Sequence, residues 1–433
     1  MITTEELYQF YLKNPSVSTD TRNIGHGTIF FALKGDNFDA NKFAQQAIDN
    51  GAAFAVVDNA QYATGKQFLL VNDSLTALQD LARHHRKQLS IPVVGLTGSN
   101  GKTTSKELIN AVLAEKFKTF ATHGNLNNHI GVPLSILAIK ADVQIAVIEM
   151  GANHQKEIEL LCSIAQPTHG IITNVGMAHL DGFGGFEGVK KGKAELYTFL
   201  KDTDGYTFVN RDSDHLMEMT AAAKLNKVIY YGSDRGNAVQ GSLQKSDPYI
   251  EINWTNHAQS STAETNLTGS YNFENVLAAI CIGDFFDMSP EAINTGLQNY
   301  HPNNNRSQLN QTANNTVICD FYNANPSSMA AALNNIETLS AEYKTAILGD
   351  MFELGSESAE QHERIAKQAE KSGLSEIIFI GKYFYALKDQ IEALFFETPA
   401  QAAAHLQQNP IKNHLVLLKG SRGMKLENLL QYL

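Results

Sequence analysis

Residues 93–107, VVGLTGSNGKTTSKE, restrict the fold more than any other part of the chain. The run IPVVGL (91–96) is short, apolar and rich in β-branched residues, which reads as a buried strand. KTTSKELINAVLAEKF (102–117) places Leu108, Ile109, Val112 and Leu113 on one face of a helix. Between them lie Gly98, Ser99, Asn100 and Gly101, followed by Lys102, Thr103 and Thr104. Strand, glycine turn and helix in that order specify a layered α/β unit with a parallel sheet. They also describe a phosphate cradle. Backbone N–H groups at the helix start face an anion, Lys102 reaches the outer phosphates, and the Thr103 hydroxyl suits Mg²⁺. The spacing is irregular, because Leu96 stands where the usual phosphate loop has glycine and Gly95 comes one residue early. A glycine-rich turn with an exposed lysine is the alternative, but the flanking strand and helix favour nucleotide binding.

A chain of 433 residues exceeds one ordinary core, and its texture divides it into three. The fold expected is α/β in three domains. Residues 1–90 form a compact N-terminal α/β domain and 91–306 a central phosphate-loop domain on a parallel sheet, suited to a nucleotide such as ATP. Residues 307–433 form a doubly wound, Rossmann-like C-terminal domain. Within the central part, 238–268 reads as antiparallel and NFENVLAAICIGDFF (272–286) as an amphipathic helix. The Asn-rich run 303–315 reads as the interdomain connection.

Charge and cysteine content narrow the function. With 34 Lys plus Arg against 45 Asp plus Glu, the net charge of −11 argues against a global grip on nucleic acid or anionic membrane. No apolar run is long enough to span a bilayer, and MITTEELYQFYLKN lacks a secretory pattern. Cys162, Cys281 and Cys319 are scattered in apolar segments, as in a reducing compartment. The expectation is a cytoplasmic monomer that acts on small molecules.

Chemistry-bearing residues should follow the ends of neighbouring strands. Glu149 closes the apolar strand QIAVIE, and His179 lies in a glycine-rich loop after GIIT. Lys193 follows Lys190 and Lys191 in a helix whose lysines would ordinarily be solvated. A lysine carrying a carbamate could instead hold a hard cation as a carboxylate does.

In that order, TGSNGKTT, VIEMGANH, the histidine loop and KGKAELY resemble the Mur ligase family of ATP-dependent amide-bond-forming enzymes, which shares the shifted glycine. NLNNHIGVP (125–133), GSYNFENVLAA (269–279), YNANPSS (322–328), LGDMFELG (348–355) and LLKGSRGMKLE (417–427) are similar to the branch that adds D-alanyl-D-alanine. Resemblance covers nearly the whole chain. It implies ATP, two Mg²⁺ ions, UDP-MurNAc-tripeptide and D-Ala-D-Ala as ligands, and an acyl phosphate on the path.

By that resemblance Thr103 and Glu149 hold one ion, His179 and carbamylated Lys193 the second, and Lys102 neutralises phosphates. Asn272 and Asn275 approach the adenine; Arg306 and Asp320 approach the ribose and phosphates. Asn323, Asn325, Lys419, Ser421 and Arg422 receive the dipeptide. Asn125, Asn127 and Asn128 bind substrate, and Asp20, Thr21 and Arg22 receive the uridine diphosphate. FDANKF (38–43) departs from the family's N-terminal pattern, and Phe321 precedes YNANP where a small or acidic residue is usual. A relative with another amine acceptor, or a nucleotide switch without ligase chemistry, are the competing readings.

Overall fold

The structure is a computed structural model and describes residues 1–433. Three parallel or mostly parallel sheets follow one another along the chain. The first has four parallel strands, in the order Val17–Ser18, Ile29–Phe31, Phe54–Val57 and Phe68–Leu70. Its opening helix, Thr4–Lys13, starts at a reciprocal cap in which Thr3 and Glu6 satisfy each other's backbone N–H.

The central sheet has nine strands. Seven are parallel and run from Thr119–Ala121 at one edge through Ile145–Glu149, Val93–Thr97, His169–Ile172, Tyr206–Asn210 and Lys227–Gly232 to Val239–Lys245. Glu251–Thr255 and Ser260–Glu264 then add in antiparallel fashion, as the alternating texture of 238–268 implies. Alternate residues of one strand feed opposite cores. Val93, Ala146 and Ile148 enter one cluster, Val94, Ile145 and Val147 the other.

On the second face the helix Lys102–Ala114 lies against Phe273–Phe285 and Pro290–Asn299. Phe273–Phe285 is not amphipathic. Every residue from Asn275 to Gly283 is buried, because the helix sits between the sheet and two neighbouring helices. No helix in the chain is long and apolar enough to cross a membrane.

The third sheet orders Gln308–Gln311, Thr316–Asp320, His414–Lys419, Tyr343–Gly349, Glu376–Ile380 and Leu394–Phe396. All but the first are parallel, and separate apolar clusters cover the two faces. The run 303–315 is therefore only partly a connection. Gln308–Gln311 pairs antiparallel with Thr316–Asp320 as an edge strand, where polar side chains meet solvent on the open side.

The helix Ser74–Gln88 joins the first sheet to the second. It packs against Thr4–Lys13 on one side and against Gly131–Leu137 and Glu157–Ala165 on the other. Arg86 donates to the carbonyls of Ala165 at 2.8 Å and Gln166 at 3.0 Å, and the Tyr11 hydroxyl donates to Leu137 O at 2.6 Å. One apolar cluster of 36 buried residues runs through both parts, from Leu7 to Met219.

Candidate active site

Glu149, Asp320 and Lys419 are each the last residue of a parallel strand. The strand ends of the central and C-terminal sheets thus face the same cleft, of about 790 Å³, where ligands of open α/β sheets collect.

The phosphate loop is built on two glycines that tolerate no side chain. Gly98 has φ +153° and a Cβ there would lie 1.9 Å from Thr173 Oγ1. Gly101 has φ +75°, and its Cβ would lie 2.5 Å from Asn275 Oδ1. Asn174, just past the strand His169–Ile172, clamps the loop: its Oδ1 accepts from Asn100 N at 2.9 Å and its Nδ2 donates to Asn100 O at 3.2 Å. Ser99, Asn100, Gly101, Lys102, Thr103 and Thr104 all line the cleft. Lys102 Nζ folds back to donate to Gly98 O at 2.7 Å and Ser99 O at 3.2 Å. Burial lowers its ammonium to about 8, against the pull of Glu149 and with a further push from Arg306.

Beside the loop, Thr103 Oγ1 donates to Glu149 Oε1 at 3.4 Å, and Asn127 Nδ2 donates to the same oxygen at 2.8 Å. Glu149 Oε2 is buried and has no partner. A buried carboxylate oxygen left open beside a hydroxyl is a donor set that fits a hard divalent cation.

His179 lies further along the cleft with φ +53°, and its Nδ1 meets the Glu353 carboxylate of the C-terminal unit. That bond holds the Glu353 carboxyl below its usual range. Lys193 lies behind this surface, 1% exposed, with Nζ 5.1 Å from the centroid of the Phe183 ring and no hydrogen-bond partner. Burial pushes its ammonium well below the usual lysine value and Lys102 adds to the push, against Glu157 and Glu195. Lys193 is not among the residues that line the cleft; a carbamate on its Nζ would add oxygen donors of the kind a hard cation takes, which an ammonium lacks. Lys190, expected to be solvated, is instead paired with Glu218 at 2.7 Å, its side chain 12% exposed.

Several residues assigned to substrates have their side chains bonded within the chain. Asn272 Nδ2 donates to Thr268 O at 2.9 Å, Asn275 Nδ2 to Asn272 Oδ1 at 2.8 Å, and Ser105 Oγ to Asn275 Oδ1 at 2.9 Å. The pair ties the phosphate-loop helix to the cleft wall rather than presenting free amides. Asn128 Oδ1 accepts from Ile130 N at 3.1 Å and Gly131 N at 2.8 Å in the turn that leads into the helix Gly131–Leu137, while Asn125 faces the cleft with an exposed side chain. Lys419 is paired with Asp320 at 2.6 Å, and Asp320 also accepts from Ser307 N at 3.3 Å.

Asn323 lines the cleft, and Asn325 both caps the helix Pro326–Thr338 and donates to Asn100 Oδ1 at 2.7 Å across the cleft. Ser421 Oγ accepts from Phe352 N at 3.0 Å and so shapes the loop that carries Glu353. Arg422 is exposed beside Tyr322, outside the cleft lining. Asp20, Thr21 and Arg22 also lie outside it, with Asp20 and Arg22 paired to each other at 2.7 Å.

Asn174, Glu353 and Tyr322 join the site without having been singled out from sequence. The only local signals were a polar residue directly after an apolar strand for Asn174 and membership of the 348–355 and 322–328 motifs for the other two.

Comparison with known proteins places the whole chain among relatives of one kind. The family model of the Mur ligase middle domain matches residues 96–283, and that of the Mur ligase glutamate ligase domain matches 305–422. The UDP-N-acetylmuramoyl-tripeptide--D-alanyl-D-alanine ligase of Bacillus subtilis (strain 168) is 33% identical over 428 residues, covering 96% of this chain and 92% of the relative. The crystal structure of MurF from Acinetobacter baumannii superposes with a TM-score of 0.89 at 31% identity, covering 99% of this chain and 98% of that one. MurF ligase from Thermotoga maritima in complex with ADP gives a TM-score of 0.86 at 25% identity, with 97% of each chain covered.

Proposed function

This chain belongs to the Mur ligase family, and from that premise we infer that it joins D-alanyl-D-alanine to UDP-N-acetylmuramoyl-tripeptide at the expense of ATP. The observation that carries this reading is likeness to D-alanyl-D-alanine-adding ligases over the whole chain, C-terminal part included, and not over the phosphate loop alone. A nucleotide switch would leave the C-terminal half of the cleft without a task. The product is a UDP-MurNAc-pentapeptide precursor of peptidoglycan.

A carboxylate resists attack by an amine because it is anionic and resonance-stabilised. Transfer of the γ-phosphoryl group of ATP to the tripeptide's terminal carboxylate gives an acyl phosphate and ADP. The free amine of the dipeptide attacks that carbonyl, the C–N bond forms, phosphate leaves, and one proton is released. Bringing these anions together requires fixed positive charge and N–H dipoles. The loop at 98–104 supplies the dipoles and Lys102 the mobile charge, which must turn from Gly98 O and Ser99 O to the phosphates.

Thr103 and Glu149 would hold one Mg²⁺, with Asn127 fixing the carboxylate; His179 and carbamylated Lys193 would hold a second. Mg²⁺ at these sites would offset charge on the transferring phosphoryl group. The cleft position of Arg306 and Asp320 supports their assignment to the nucleotide, and that of Asn323 and Asn325 their assignment to the dipeptide. In this reading residues 1–90 receive the UDP-sugar, 91–306 the ATP and 307–433 the dipeptide, in a cytoplasmic monomer.

The test is incubation with ATP, Mg²⁺, UDP-MurNAc-tripeptide and a panel of amine acceptors, with products read by mass. Pentapeptide is expected with D-Ala-D-Ala and not with single amino acids. ATP hydrolysis with no amide product from folded protein would overturn the reading.

A further inference from the structure

Tyr322 carries two guanidinium groups. Arg306 lies over its ring, with Cζ 3.8 Å from the centroid. Arg422 has its Cζ 5.0 Å from the same centroid, and its Nη1 donates to the phenol oxygen at 3.0 Å. The residues come from three places: Arg306 from the connection between the sheets, Tyr322 from the loop after Thr316–Asp320, and Arg422 from the loop after His414–Lys419.

Neither arginine is paired with a carboxylate, although the chain has 45 of them, and Arg306 Nε is buried without a hydrogen-bond partner. The contrast with Lys419, held by Asp320 a few residues away, is informative. A carboxylate partner neutralises a cation. An aromatic face holds a cation through its quadrupole and leaves the net charge in place for an anion. Two unneutralised guanidiniums brought to one ring at the cleft mouth are therefore an arrangement for anions arriving from two directions.

We propose that Tyr322 is a positioning residue that holds Arg306 toward the nucleotide and Arg422 toward the carboxylate of the incoming dipeptide, coupling the two substrates through one side chain. The proposal rests on the ligase reading above. Because coupling between sites is reciprocal, nucleotide bound at Arg306 should tighten dipeptide binding by the factor by which dipeptide tightens nucleotide.

Three variants separate the contacts, each measured with saturating UDP-MurNAc-tripeptide. Tyr322→Phe keeps the face and loses the hydroxyl, so the KM for D-Ala-D-Ala should rise about fivefold while that for ATP stays within about twofold. Tyr322→Leu removes the face as well, so the KM for ATP should also rise, by about threefold. Arg422→Lys keeps the charge but loses the planar fork, and should reproduce Tyr322→Phe. Binding of D-Ala-D-Ala with and without a non-hydrolysable ATP analogue, followed by calorimetry, should show the mutual tightening in wild type and its loss in Tyr322→Leu, which gives up the face that both arginines share.

Unchanged KM values in both tyrosine variants, or equal effects of Tyr322→Phe on the two substrates, would show that the ring only fills space. If Tyr322→Leu fails to fold, Tyr322→Phe and Arg422→Lys decide alone. Failure of the ligase reading looks different, because the wild type would then form no dipeptide-dependent product.

Discussion

Lys193→Ala should lose most ligase activity, about 100-fold or more, and a small carboxylate such as acetate or propionate at high concentration should restore part of it. The expectation follows from where the amine sits. Lys193 is fully enclosed, its Nζ has no hydrogen-bond partner, and only the Phe183 ring lies over it. An ammonium beside a divalent cation would be repelled by about 8 kcal/mol at 4 Å and an effective dielectric of 20. Burial and the Lys102 charge both favour the neutral amine, and the neutral amine is the form that adds to carbon dioxide, giving a carbamate and releasing a proton. The product is an oxygen donor of the kind a hard cation takes.

Two further readouts separate this from a packing role. ¹³C-labelled bicarbonate should give a carbamate resonance in wild type that is absent from Lys193→Ala. The added carboxylate should do nothing for Lys191→Ala, whose side chain is exposed. Normal turnover by Lys193→Ala, or no carbamate signal in wild type, would sink the idea.

Lys102→Ala should abolish ligation, by about 10²–10³-fold or more, while leaving the fold intact. The companion variant Lys102→Met keeps the aliphatic stem and tests stability. In the fold the ammonium titrates at about 8, below its unfolded value of about 10.4, so the charged form is disfavoured by folding. That penalty is complete below pH 8 and fades as pH rises from about 8 to about 10.4. It is on the order of 3 kcal/mol. Lys102→Met should therefore melt no lower than wild type at pH 7, and any gain should shrink by pH 10.5. A variant that binds nucleotide and turns over normally would show that the loop lysine is structural. One that melts far lower would show that its bonds to Gly98 O and Ser99 O outweigh the buried charge.

What could be read from sequence was what is local. The phosphate loop is contiguous, and its strand and helix are signalled by their own periodicity. Glu149 stood out because a carboxylate closing so apolar a strand is costly to bury unless a cation or donors await it. Contacts made by the facing of two sheets left no such trace: His179 with Glu353, Asn325 with Asn100, and Tyr322 between two arginines. Asparagine was the least legible residue, since its amide serves a ligand or a neighbour equally well, and Asn127, Asn272 and Asn275 serve neighbours. Gln308–Gln311 hid for a different reason: an edge strand needs no apolar face, so its polar sequence reads as a connector.

The apolar cluster that passes from Leu7 to Met219 has no seam between the first two sheets, and a structure melts along its seams. Calorimetry should accordingly resolve two cooperative transitions rather than three, and a protease should first release a fragment beginning near residues 300–307, where the chain crosses to the third sheet. For catalysis the same continuity is a ruler. The pocket proposed for the UDP-sugar and the phosphate loop ride on one rigid body, so the tripeptide's reach to the γ-phosphate is set by the length of the substrate itself. Only the amine, which the proposed reading places on the third sheet, has its distance left adjustable.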